Sequence, residues 1–332
     1  MALCGYSLKR LCAVLSPLPL FRAVQIFEWI KKGAHDFSGM TDIPLGMRQE
    51  LATRFSLFDS TVQTQRSDST GTTKIGFKLR DGAIIESVLL IDQKGRSTAC
   101  LSSQVGCPLG CTFCKTGSMG FVRNLKSAEI IEQFVQLHAG RESIDNVVFM
   151  GMGEAFLNSD ALFESLDILC TDWHISPRRI TVSTAGVAAG IAMLSAQKYD
   201  IRLAFSLTTA DSQLRERLMP ITKTNPLPLI KEALCNYQTH HKQRITLELV
   251  LLKNVNTRPD DIQALISFAH GLNVVVNIIP WNTVEGISLQ KPTNSEIHSF
   301  AQALEHAGLN VTRRFGRGSS LSAACGQLGY RQ

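Results

Sequence analysis

The chain lacks any apolar run long enough to cross a bilayer. A spanning helix needs about 18 to 20 consecutive apolar residues, whereas the stretch Leu11 to Phe21 is shorter and broken by Pro17 and Pro19. No membrane association is expected. Charge is also scarce, at 19% against 44% hydrophobic. A chain of 332 residues with that balance buries a large core, which excludes bulk disorder and suggests one large domain with a smaller one. The cysteines lack pairing: the nine, at positions 4, 12, 100, 107, 111, 114, 170, 235 and 325, form an odd set of which 107, 111 and 114 alone cluster. A chain this long does not depend on a disulfide framework, so metal binding or catalysis in a reducing compartment is the better reading, and a cytoplasmic location follows. The first 15 residues have some of the basic and apolar character of a targeting segment, but no small-residue cleavage site precedes the helical pattern resuming at Phe21. The net charge of +6, from 34 Lys and Arg against 28 Asp and Glu, suits a polyanionic partner.

Residues 20–56 carry apolar side chains at helical spacing (Val24, Phe27, Ile30, then Met47, Leu51, Phe55), with a loop from Asp36 to Pro44. Thr73 to Leu79 and Ile84 to Ile91 flank Asp81-Gly82, a pair that tolerates the positive φ of a tight turn, so a β-hairpin is expected there. Beyond Thr98, short β-rich runs at 146–150, 179–184, 201–207, 245–252, 273–279 and 310–313 alternate with helical patterns near 126–139, 160–170, 187–196, 211–219, 227–240, 259–270 and 294–307. Repeated βα units imply a parallel sheet buried on both faces. Periodicity does not distinguish a doubly wound sheet from a full or partial barrel. In either, active sites gather at the carboxyl ends of strands, where this chain places its cysteine loop, Gly151-Met152-Gly153-Glu154, Ser183-Thr184, Ser206 and Pro280-Trp281-Asn282.

Cys107-Pro-Leu-Gly-Cys111-Thr-Phe-Cys114 is a C-x3-C-x2-C loop, with Gly106 and Gly110 allowing backbone to wrap closely around a bulky centre. Three thiolates do not close a tetrahedral zinc site. His138, at the far end of an expected helix, is the nearest histidine for a fourth ligand. An iron–sulfur cluster held by three cysteines keeps one iron open to a substrate or cofactor.

This loop, followed by Met-Gly-Phe, resembles the radical S-adenosylmethionine (SAM) superfamily. Further segments narrow the resemblance to the RlmN/Cfr family of adenine methyltransferases: Cys100-Leu-Ser-Ser-Gln-Val-Gly-Cys107, Phe149-Met-Gly-Met-Gly-Glu154, Ser183-Thr184, Arg215 to Ile221, Ile279-Pro-Trp-Asn282 and Ala323-Ala-Cys325-Gly-Gln-Leu328. It runs from about Phe21 to Leu328; Ile-Pro-Trp-Asn looks more like RlmN, while Gly-Glu-Ala and Ser176-Pro-Arg-Arg179 look somewhat like Cfr. The resemblance implies an α/β fold, a partial (β/α)6 radical SAM barrel with a small N-terminal helical domain and a β extension. The expected divisions are an RNA-binding helical domain at 1–65, the hairpin extension at 66–97, the barrel core at 98–315 and a C-terminal segment at 316–332.

The activity implied is methylation of an adenine carbon, C2 in RlmN and C8 in Cfr, in 23S ribosomal RNA, and for RlmN in some transfer RNAs. Such a carbon has no lone pair with which to attack a sulfonium methyl. The family instead uses a 4Fe-4S cluster and two SAM molecules per turnover, with electrons from a donor such as flavodoxin or ferredoxin. One SAM methylates a C-terminal cysteine, matched by Cys325, and a radical from the second activates that methyl for addition to the base. Cys100 occupies the position of the resolving cysteine, which frees the product by disulfide formation, and Glu86 resembles the proton acceptor. From the residues alone, Glu86 reads equally as a solvated strand carboxylate and Cys325 as a small buried hydrophobe. Gly316, Gly318 and Gly326 argue for a mobile loop around Cys325.

Cys107, Cys111 and Cys114 match the cluster ligands, while Gly153, Glu154, Ser183, Ser206, Leu207, Thr208 and Asn282 match SAM contacts. Two departures bear on substrate choice. Thr208 stands where the family commonly has histidine, and Gly318-Ser319-Ser320 replaces Gly-Asp-Asp before the acceptor cysteine. Arg10, Arg22, Lys31, Lys32, Arg48 and Arg54 give the N-terminal helices a positive bias suited to phosphate, although any one of them taken singly reads better as a solvated helix face. A monomer is expected. A competing reading is a non-catalytic iron–sulfur or zinc RNA-binding module.

Overall fold

A computed structural model describes residues 2–313 and 321–329. Its core is a ten-stranded sheet made from β1 (Thr61–Ser67), β2 (Thr73–Lys78), β3 (Ile84–Ile91), β4 (Ser97–Cys100), β7 (Asn146–Phe149), β8 (Ile180–Thr184), β9 (Arg202–Ser206), β10 (Ile245–Leu251), β11 (Val274–Pro280) and β12 (Asn310–Arg313). The short β5 (Gln104–Gly106) and β6 (Phe121–Asn124) pair separately. From β4 to β12 the strands are parallel, and each pairs with its predecessor in the sheet. That monotonic order is the winding of a barrel; a doubly wound sheet would reverse at a switch point. Among the described residues β12 does not pair with β4, so the barrel is partial.

The central strands β10 and β11 are almost wholly buried, as their Val, Ile and Leu runs require. Seven expected helices appear at Ser127–His138, Ser159–Thr171, Ala188–Ser195, Ser212–Leu218, Leu227–His240, Pro259–Ala269 and Asn294–His306. The hairpin continues the same sheet, because β3 pairs antiparallel with both β2 and β4. Its turn is the expected one: Gly82 has φ +85° and the Leu79 N–H donates to Ala83 O at 2.8 Å.

Three helices precede the sheet, Leu8–Val14, Leu20–Lys31 and Leu45–Arg54. The sequence reading missed the first, which Ser7 caps by accepting the Arg10 N–H at 3.2 Å. Leu3, Leu11 and Leu15 are buried in the main core, which accounts for the apolar character of this segment. The link to β1 is held from the barrel side by Glu132, whose carboxylate accepts from Asp59 N at 2.8 Å, Ser60 N at 3.0 Å and Ser60 Oγ at 2.7 Å. Burial outweighs those bonds and raises its pKa from an ordinary 4.5 to about 7. Between those values the native state keeps a proton that the unfolded chain releases, so stability falls as pH rises through the window. Glu132→Gln, which cannot ionise, is expected to flatten that slope in urea midpoints taken from pH 4.5 to 8; an unchanged slope would show that Glu132 titrates normally.

Candidate active site at the carboxyl ends of the strands

The cysteine loop is shaped by β5 and β6. Gly106 has φ +73°, and a Cβ there would sit 2.0 Å from Gly120 O, so this position requires glycine. The loop is pinned by Cys107 N–H to Gly120 O at 2.8 Å, Thr112 N–H to Leu218 O at 3.0 Å, and the Trp281 indole N–H to Phe113 O at 3.0 Å. Burial raises the pKa of the Cys107 thiol to about 12 and raises that of Cys111 further, with repulsion from Cys114 and Cys107 adding to it. Such thiols stay protonated unless a cationic centre displaces the protons.

Among the described residues no three His, Cys, Asp or Glu groups close on one ion-sized point. Three thiolates leave a tetrahedral zinc one ligand short, whereas a multi-iron cluster held by three cysteines keeps one iron open, so the donor set fits the cluster better. His138 is no fourth ligand. Its ring packs edge-on against Trp173 at 5.4 Å.

The three thiols face a cavity of about 180 Å³ that is also lined by Gly153, Glu154, Ser183, Ser206, Asn282 and Cys325. Residues spread along most of the chain thus meet at one end of the barrel. Gly153 has φ +101°, and a Cβ there would meet Gln104 Cβ at 2.6 Å, so the turn after β7 lies against β5. Glu154 is buried, which raises its pKa, and its oxygens accept from Ala185 N at 2.8 Å and Phe156 N at 3.3 Å. A buried carboxylate held by backbone donors suits a cationic ligand group such as an ammonium.

Leu207 and Thr208 lie behind this wall. Leu207 O accepts from Arg215 Nε at 3.0 Å, and Thr208, at φ +61°, donates its N–H to Glu248 O at 3.1 Å. The Thr208 hydroxyl is buried without a hydrogen-bond partner among the described residues, leaving an uncommitted polar group at a position where the resemblance places a cofactor contact. Cys100 and Glu86 also lie off the cavity wall, on β4 and β3. Cys100 pairs with Val88, two residues from Glu86, so their side chains share a face of the sheet.

Glu86 is not a solvated carboxylate. It is 4% exposed, ion-pairs with Lys74 Nζ at 2.9 Å and accepts the Gly329 N–H at 2.8 Å. Cys325 O accepts from Asn282 Nδ2 at 3.1 Å, so one C-terminal segment touches both the cavity and Glu86. Residues 314–320, which include Gly316, Gly318, Ser319 and Ser320, lie outside the described residues.

Sequence reasoning assigned no role to Glu248, Lys74 or Arg215. Glu248 is a buried carboxylate on the cavity wall whose Oε2 accepts from Asn277 Nδ2 at 2.6 Å. Its signal was an acid inside an otherwise apolar, doubly buried strand. A roomier cavity of about 780 Å³ lies between the helix Leu45–Arg54 and β1, with no cysteine on its wall among the described residues.

A partial βα barrel with a three-cysteine loop and a buried carboxylate at its carboxyl end is the architecture of a radical SAM enzyme. Residues 101–269 match the profile of the Radical SAM superfamily. The crystal structure of a radical SAM methyltransferase from Sphaerobacter thermophilus superposes with a TM-score of 0.93 at 37% identity, covering 99% of each chain. Residues 4–57 match the ribosomal RNA large subunit methyltransferase N-terminal domain. The probable dual-specificity RNA methyltransferase RlmN of Treponema pallidum (strain Nichols) is 46% identical over 311 residues, covering 93% of this chain and 92% of that protein. Its counterpart in Treponema denticola is 47% identical over 311 residues, covering 93% and 90%. The chain belongs to the RlmN family of SAM-dependent radical RNA methyltransferases. Among the described residues no helix is long and apolar enough to cross a membrane.

Proposed function

We propose that the protein methylates adenine C2 in 23S ribosomal RNA, and in transfer RNA, through a methyl group carried on Cys325. The observation that carries this reading is the place of Cys325 on the wall of the cavity faced by Cys107, Cys111 and Cys114. Those three would hold a 4Fe-4S cluster, with Glu154, Ser183, Ser206 and Asn282 around the SAM. When bound, cluster and SAM supply the radical that removes hydrogen from the Cys325 methyl, at two SAM per turnover with electrons from a flavodoxin- or ferredoxin-type donor. Glu86 would take the proton from the substituted ring carbon, the remaining electron returning to the oxidised cluster, and Cys100 would then attack the Cys325 sulfur, forming the disulfide while its own proton completes the methyl of the released product. A cytoplasmic monomer with the domain divisions given above completes the reading.

The N-terminal helices support an RNA partner in part. Leu20 and Phe21 are exposed, and the Arg22 guanidinium lies 4.8 Å from the Phe21 ring centre, a stacking surface of the kind unpaired bases use. Lys31, Arg54 and Arg10 are engaged by Glu28, Glu50 and Glu164, which reduces the positive bias expected there.

Anaerobic reconstitution with iron, sulfide and SAM, followed by nucleoside mass spectrometry of treated 23S RNA, is expected to yield 2-methyladenosine. Appearance of 8-methyladenosine would replace this regiochemistry with the Cfr one. RNA binding without methylation or 5′-deoxyadenosine would leave the binding-module reading.

A further inference from the structure

Residues 321–329 contain no strand and no α-helix of their own, and their position depends on bonds to the rest of the molecule. The middle of the segment is tied to the cavity side. Lys115 N donates to Gly326 O at 2.9 Å, Thr116 Oγ1 to Leu328 O at 2.6 Å, and Gln327 Nε2 to Thr283 O at 2.9 Å. Both flanks of Cys325 converge on a different pair. Lys74 Nζ donates to Ser322 O at 3.3 Å, and Glu86 Oε2 accepts the Gly329 N–H at 2.8 Å.

Lys74 and Glu86 are themselves joined at 2.9 Å, with side chains 12% and 5% exposed. The register explains how they meet. Glu86 lies opposite Gly76, which has no side chain, and Lys74 lies opposite Val88, so the lysine leans along one face across the space beside the glycine. Cys100 lies opposite Val88 on the other side, on that same face.

We infer that the Lys74–Glu86 pair is a latch that seats the Cys325 segment, with Lys74 as its positioning residue, and that the seated segment withholds Glu86 from proton transfer. The second part rests on the proposed role of Glu86; the first does not. One Glu86 oxygen is committed to the ammonium and the other to the Gly329 N–H. A general base must reach the proton it removes; each oxygen keeps a further lone pair, but with Glu86 4% exposed beneath the seated segment no substrate proton reaches it. Withdrawal of residues 322–329 frees Oε2 on the face that also carries Cys100. Loading of Cys325 beside the cavity therefore goes with a closed latch, and resolution by Cys100 and Glu86 with an open one.

Hydrogen exchange on the full-length, anaerobically prepared protein tests this, comparing wild type, Lys74→Met and Lys74→Arg. In Lys74→Met the amides of 321–329, Gly329 above all, are expected to exchange roughly tenfold faster or more, while β8 to β11 keep wild-type protection. Lys74→Arg, which keeps a donor and a charge, is expected to restore most of that protection. Methylation of Cys325 by SAM, read by peptide mass, is expected to slow in Lys74→Met and recover in Lys74→Arg. Unchanged protection of 321–329 in a folded Lys74→Met protein overturns the latch, and so does a loss spread evenly over the sheet. Should wild-type Cys325 never be methylated, the proposed function fails while the exchange result still decides the latch.

Discussion

Cys325→Ala is expected to lower methyl transfer to RNA by about 10³-fold or more, the scale on which enzymes lose turnover when a covalent nucleophile is removed. The reason is chemical. In the proposed mechanism an adenine carbon offers no lone pair to a sulfonium and the methyl is carried by the protein before it is activated, and Cys325 lines the same cavity as Cys107, Cys111 and Cys114. The fold should tolerate the change, because Cys325 is half-buried and the bond from Asn282 goes to its backbone carbonyl, which alanine keeps. A near-native urea midpoint with no methylated Cys325 peptide and no methylated nucleoside is the expected pattern. Cys100→Ala is the informative companion, expected to leave RNA covalently joined to the protein because the thiol proposed to release it is missing. Undiminished RNA methylation by Cys325→Ala would remove the parked-methyl mechanism while leaving family membership intact.

The parallel core was readable because burial on both faces forces long apolar strands between amphipathic helices; β10, β11 and the helix Leu227–His240 fall within a residue or so of their expected bounds. Winding was not readable from periodicity, which a barrel and a doubly wound sheet share; the family resemblance implied a partial barrel, and the order β7-β8-β9-β10-β11-β12 bears it out. β1 escaped notice because it is an edge strand exposed on nearly every residue, with the polar run Thr-Val-Gln-Thr-Gln-Arg-Ser showing no alternation. β5 and β6, of three and four residues, are too short to show a period at all. The helix Leu8–Val14 was obscured by apolar residues that turned out to face the core.

At the site, chemistry carried by side-chain type was legible and chemistry carried by tertiary contact was not. Three cysteines in a glycine-flanked loop announce themselves, and strand ends told where to look. Nothing local distinguishes Glu86 from a surface carboxylate. Its burial depends on Lys74 one strand away and on Gly329, 243 residues distant in sequence. Thr208 is the converse case: the departure from histidine was visible, but its positive φ and its buried, uncommitted hydroxyl were not.

Arg215→Met is expected to cost about 3–5 kcal/mol of unfolding free energy, from several buried acceptors each losing its donor at about 1–3 kcal/mol. Arg215 has no exposed surface, yet its donors go to Leu207 O at 3.0 Å, Thr222 Oγ1 at 2.7 Å, Ala185 O at 2.6 Å and Ser206 O at 3.2 Å, with its guanidinium 5.2 Å from the centre of the Phe205 ring. Burial lowers its pKa to about 10, still far enough above neutrality to keep the charge. Two consequences separate. Losing the fork releases the loops after β8 and β9, and with them the Ala185 N–H that holds Glu154, so with Glu154 as the proposed SAM contact the affinity for SAM should fall with stability. Losing the charge also removes a minor aid to the Cys111 thiolate, set against burial and repulsion from Cys114 and Cys107, so with Cys111 as the proposed cluster ligand iron retention should fall slightly. Arg215→Lys divides the two effects: it keeps the charge but cannot span four acceptors, and is expected to retain iron better than Arg215→Met while recovering little of the stability. Urea midpoints on metal-free protein isolate the fork, and iron content after reconstitution isolates the charge. An Arg215→Met protein within about 1 kcal/mol of wild type would mean that the carbonyls find other donors, and that this arginine does not organise the site.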